Sequence, residues 1–427
     1  MIVNRTYVLD RADVAAAGGL LPAIEKTFDN EPLRWFISAA TPEQLTIEST
    51  DYTDELALPV GEPGWLPGAG PQVVVSIVPT GIGCSIGGFA GDAGPATALL
   101  AQAGDYVVTN PNAVNASDFI YINDRVLYTE GSCVDQFCRG RVNLYRPRLN
   151  KIGVIIEHAD PAAIAGALNI VNTARAVYGV DIVDVVVTPE RIGTHSVQQP
   201  SGSYVGTIER PEVLLDAART LLERGATAIA VTSDVQNLNT DAYTDHFRGG
   251  HPNPVGGVEA IISHLLVRTL GAPAAHAPLK NFKDITLNHG LVDPRGAGEF
   301  VSANGLASVL IGLRHAPQIR PDTRAGTIDA VGINNIAAVV APASALGGVP
   351  VLEASRRGIP VIAVADNTTI LDVTADNLGL DGVIPASNYI EAAGIVLALR
   401  ASVSLDSLRR PLATQHPIEI GKLEALR

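Results

Sequence analysis

An α/β fold is what this sequence predicts: mainly parallel Rossmann-like sheets with flanking helices, plus a small N-terminal α+β unit. Three observations predict it. Residues 73–78 are a short β-branched run, followed by five glycines between Pro79 and Asp92, then a helix pattern over 95–102 with Pro95 in its first turn. Residues 151–157, 161–178 and 182–187 read as strand, helix and strand. Residues 337–340, 349–357 and 360–364 repeat that order. A strand–helix–strand order needs a crossover, and crossovers build parallel sheets.

In chain order, residues 1–70 read as a separate extension, with strands over 5–9 and 34–38 and a helix over 12–28. The Gly- and Pro-rich segment 61–70 reads as a linker. Residues 71–150 form a glycine-loop α/β region, with a second strand over 106–109 and polar turns over 109–115 and 127–135. Residues 151–427 form an α/β body. Beyond its first strand–helix–strand unit come a helix over 211–224, a strand over 227–232, a polar loop over 240–254 and a helix over 255–270. An apolar segment over 306–313, the second unit and a closing helix over 391–399 complete it.

Composition narrows the function classes. The chain has 427 residues, 47% hydrophobic and 17% charged, enough for two or three domains with a large buried core. No apolar run reaches the length of a membrane span, and the first residues lack a signal peptide's long apolar segment. A net charge of −14 and a pI near 5.1 disfavour nucleic acid and anionic membrane surfaces as partners. Three cysteines, an odd number, fit a reducing compartment, and the expected location is cytoplasmic. The expected partner is a small-molecule substrate, with homo-oligomerisation as the general expectation for such enzymes.

Strand, glycine loop and helix together aim backbone N–H groups at a bound anion. Thr80, Gly81, Gly83, Gly87, Gly88 and Asp92 are therefore candidate substrate-binding residues. The loop is not a dinucleotide fingerprint: position 86 is Ile, and no acid follows the strand over 106–109 to hold a ribose. No G-K-[ST] follows, so it is not a P-loop either.

The runs PTGIG at 79–83, IGGFAGD at 86–92 and NPNAVN at 110–115 resemble the bacterial and plastid-type domain-of-unknown-function family 3326. So do EAIISHLLVR at 259–268, AHAP at 275–278, DPRGAGE at 293–299, GLRHAP at 312–317, GGVP at 347–350 and IPVIAVADN at 359–367. The resemblance covers roughly residues 73–399 and implies no established reaction. Cys84 stands where the family pattern leads one to expect Ala, which weakens a thiol mechanism.

The polar residues inside these runs are the chemical candidates. His264 and Arg268 are spaced i, i+4 and share a helix face, and His276 follows in the next run. A positioned His moves protons near neutral pH, and an Arg holds a carboxylate or oxyanion by a planar fork. His264, His276, Glu299 and Glu130 are the catalytic candidates, with Asp135 beside them as a second carboxylate. Arg268 and Arg295 would orient the substrate; Asp293, before a proline, fits an N-cap. Asn110, Asn112, Asn115 and Asn367 fit either a neutral amide-like substrate or turn formation.

No cofactor is predicted. His246 and His251 with Asp241 or Asp245 could bind a divalent metal, or be loop residues. Cys84 fits either a thiolate nucleophile or small-residue packing, and Cys133 and Cys138 lack the second pair of a structural zinc site. His195 with Ser201 and Ser203 leaves a Ser–His pairing open. The first expectation is a hydrolase opening a C–N bond in a small polar metabolite such as a cyclic amide. An isomerase or lyase on a small carboxylated metabolite is the rival, and a non-catalytic small-ligand sensor the third reading.

Overall fold

The computed structural model describes residues 1–52, 70–110, 124–236, 238–250, 252–279, 292–298, 305–321 and 330–417. Two parallel sheets form the body. The larger has six strands in the order Ile384–Ala386, Val361–Val364, Ile336–Pro342, Val73–Ser76, Tyr106–Thr109 and Val126–Tyr128. The smaller has four, in the order Ala274–Pro278, Ala228–Ser233, Ile152–Ile156 and Ile182–Val187. All neighbours in both pair parallel.

The β-branched runs become the buried strands because both faces of each sheet are covered. Val74 faces a core with Leu100, Tyr389 and Val396, whereas Val73 and Val75 face one with Val134, Phe137 and Leu352. In the smaller sheet Val154 and Ala230 join the first of these cores, and Ile155 and Val231 the second. Both cores therefore run from one sheet into the other. The larger sheet draws strands from both sides of residue 150, so the expected division there is not a sheet boundary.

Local signals fix the helix ends. Asp160 accepts from the amides of Ala162 and Ala163 to start Pro161–Tyr178, and Gly179 ends it at φ 64. Where a polar loop is expected over 240–254, Asn239 caps a helix, Thr240–Phe247, by accepting from Asp241 and Ala242. The expected helix over 12–28 is two short ones, Arg11–Ala16 and Leu20–Glu25, separated by Gly18 and Gly19.

The N-terminal unit is a three-stranded antiparallel sheet in the order Ile2–Asp10, Gln44–Tyr52, Arg34–Ala40. It docks on the body: Ile37 N–H donates to Gly347 O at 3.0 Å, and Asn4 Nδ2 to Gly206 O at 3.1 Å. Apart from Gly70, the expected linker lies outside the described residues.

Candidate functional site

A cavity of about 190 Å³ lies at the carboxyl ends of the six-stranded sheet. Pro79, Thr80 and Ile82 enter it after Val73–Ser76, Asn110 after Tyr106–Thr109, and Glu130 after Val126–Tyr128. Ligands of open α/β sheets bind in this position. Helix Gly256–Leu270 lines one wall with Glu259, Ser263 and His264, and strand Ala274–Pro278 adds His276. The N-terminal unit supplies another wall, with Arg34, Trp35, Phe36 and Ile37. The helix approaches the loop closely because Gly256 has no side chain: a Cβ there would lie 2.4 Å from Thr80 Oγ1.

Glu130 is the N-cap of helix Gly131–Cys138. It accepts from Ser132 N at 2.8 Å, Ser132 Oγ at 2.6 Å and Cys133 N at 2.6 Å. Its Oε2 also meets His264 Nδ1 in a close ion-pair contact. Nδ1 lies within ion-pair distance of Oε2 but outside hydrogen-bonding geometry. Burial pushes the Glu130 carboxyl up, but the His264 imidazole and the Ser132 donors outweigh it, and its pKa lies below the ordinary value. With Nδ1 facing Glu130, Nε2 has no protein partner among the described residues and is left to the cavity.

His276 is held at Nε2, while its Nδ1 makes no hydrogen bond among the described residues. Ser233 Oγ lies 2.9 Å from Nε2, and Glu259 Oε1 lies 3.5 Å from Nδ1. Ser233 is fully buried and is not among the cavity-lining residues. It orients the ring.

Asp135 also lines the cavity. Burial, against the pull of Arg139 and with the push of Glu130, raises its pKa to about 7. A carboxyl that shares its proton near neutrality is suited to acid–base work.

The structure brings His264, His276, Glu130, Thr80 and Asn110 to one cavity and sends other candidates elsewhere. Arg268 pairs with Glu31 at 3.4 Å and donates to Pro32 O, so it ties the N-terminal unit to the body. Arg295 pairs with Asp293 at 2.8 Å and lies over the Phe89 ring. Gly81 accepts from Tyr204 N, and Gly83 packs against Pro252 and Ile370. The Gly87 amide donates to Asp92 at 2.7 Å, and Gly88 packs on the Cys84 carbonyl, so much of this loop holds itself together. Asn367 exchanges hydrogen bonds with the Ile86 backbone, and Asn110 with the Val78 backbone. Glu299, Asn112, Asn115 and His251 lie outside the described residues.

The alternatives left open by the sequence resolve as follows. Cys84 is buried and burial pushes its thiol far up, so packing is its role. His195 pairs with Glu209, and Ser203 donates to Glu48. His246 stacks on Phe89 with 4.2 Å between ring centroids. Among the described residues no group of three His, Cys, Asp or Glu side chains could hold a metal ion. Sequence reasoning missed Ser233 and Arg34. Ser233 ends a strand of a parallel sheet, which was a usable signal. Arg34 sits in a unit that reads as an extension.

An α/β protein with two carboxylate-paired histidines at the carboxyl edge of a parallel sheet is the class this geometry defines. The chain belongs to the family described as protein of unknown function (DUF3326), whose profile matches residues 73–409. It is 36% identical over 331 residues to an uncharacterized lipoprotein of Synechococcus sp., covering 77% of this chain and 91% of that one. No solved structure matches it. The relative's lipoprotein description overturns the cytoplasmic location expected from composition. Charge and cysteine count report solubility and redox tolerance, not cellular address. Among the described residues no helix is long and apolar enough to cross a membrane.

Proposed function

We propose that the chain is a small-molecule enzyme that works by histidine acid–base chemistry in this cavity. The observation that carries the reading is His264: its Nδ1 lies against the Glu130 carboxylate, and the residue lines the cavity together with Asn110, Glu259 and His276. The arrangement suits a general base with an orienting carboxylate. Our first reaction is hydrolysis of a C–N bond in a small polar, cyclic-amide-like metabolite. His264 Nε2 takes a proton from water, and the hydroxide adds to the amide carbonyl. The C–N bond then breaks, and the same proton passes to the departing nitrogen. Asp135 supplies a second protonation site. For location we carry over the relative's description as a lipoprotein.

The test is turnover of a cyclic-amide panel by the wild type, His264→Asn and His276→Asn, with products weighed by mass spectrometry. The reading expects a product heavier by one water and a loss of about 10²–10⁴-fold in His264→Asn. A product of unchanged mass points to the isomerase. Wild-type turnover retained in His264→Asn removes the proposal.

A further inference from the structure

We infer that Arg34 is the anion anchor of the cavity, and that the substrate carries a carboxylate which this guanidinium holds. The inference deepens the proposed function, because it places the substrate's charged group beside His264.

Three observations on Arg34 support it. Its Nη1 is buried and has no hydrogen-bond partner. The buried arginines are matched, Arg139 by Glu25 and Arg268 by Glu31, whereas Arg34 as a residue is partly exposed. Arg34 forms no ion pair among the described residues, although Glu48 and Asp135 act on it from further away. A buried N–H with no acceptor costs free energy, and a ligand oxygen would satisfy it. Its guanidinium carbon lies 5.1 Å from the Phe36 ring centroid, which holds the planar fork in place.

The carboxylates lining the cavity do not cancel this charge. Glu130 is paired with His264 and saturated by three donors. Glu259 faces His276. Asp135 shares its proton near neutrality. Arg34 is thus the cation left over, and a two-oxygen anion fits its fork. The proposed chemistry happens at His264, from another wall of the same cavity. That leaves the anchored carboxylate as a handle, not the reacting group.

The experiment is calorimetric titration of the full chain with pyroglutamate and pyroglutamide, which differ only in the charged group. Wild type is expected to bind pyroglutamate about tenfold tighter or more, with a preference that shrinks as salt rises. Arg34→Gln should erase the preference, and Arg34→Lys should keep part of it. His264→Asn should keep all of it, which separates this inference from the catalytic one. Loss of turnover in His264→Asn with the preference intact supports both. No carboxylate preference in the wild type, including no binding of either probe, overturns the anchor. So does a preference that survives Arg34→Gln, or inorganic phosphate binding tighter than pyroglutamate.

Discussion

Glu130 and His264 are joined across two helices: the carboxylate that starts helix Gly131–Cys138 is also the one that faces Nδ1 of the imidazole. The proposed catalytic geometry and the local fold therefore depend on one side chain. Glu130→Gln should keep some capping and lose the charge. Its folded pKa is depressed, so its stabilisation is present above the unfolded value and lost as pH falls through the folded one. Urea titration should find the variant less stable by about 1–3 kcal/mol at pH 7, with the gap closing in acid. An undiminished gap at pH 2.5 would contradict this charge assignment.

Asp135 should behave in the opposite sense. Its folded pKa is raised to about 7, so the native state keeps a proton that the unfolded chain gives up near pH 4. Stability then falls as pH rises between those values. Asp135→Asn should melt higher than wild type at pH 8, and the gain should fade towards pH 4. Equal melting temperatures at pH 8 would refute a buried, proton-sharing Asp135.

Arg268 should matter for folding and not for ligand affinity. Its partner Glu31 also takes Arg141 at 2.8 Å, so the pair clamps the N-terminal sheet. Arg268→Ala should cost about 1–3 kcal/mol, from the lost ion pair and hydrogen bond of a buried side chain, because Glu31 keeps Arg141. Carboxylate binding measured well below the melting point should be unchanged. A selective loss of affinity in a stable protein would return Arg268 to the binding site.

Gly87 leaves no room for a side chain. A Cβ there would sit 2.0 Å from Val78 Cγ1, at a φ of 93. Gly87→Ala should cost roughly 2–5 kcal/mol from strain and overpacking combined. Chemical denaturation measures it directly; a loss under 1 kcal/mol would show that the loop yields.

The sequence was most readable where local chemistry decides. Pro161 after Asp160 and Gly179 after Tyr178 mark one helix to the residue, because caps act within a turn. His264, His276 and Glu130 were nameable because reactive side chains stood out in apolar or turn settings. Their partners were less so: Ser233 and His276 meet across adjacent strands, 43 residues apart. Arg268 shows how a correct spacing misleads. Four residues advance a helix by about 6 Å, which carries its guanidinium past the cavity to Glu31. The glycine loop was legible as a tight turn. That Gly87 and Asn367 spend their polar groups on the loop itself is a tertiary fact.

The docked N-terminal sheet gives the chain a modular recognition surface. The profile segment, residues 73–409, holds Glu130, Glu259, His264 and His276, whereas Arg34 lies ahead of it. On the proposed function, reactivity and the choice of what is admitted would sit on different stretches of polypeptide. Grafting a different first fifty residues onto this body would redirect which compounds are accepted while the proton-transfer apparatus stays as it is.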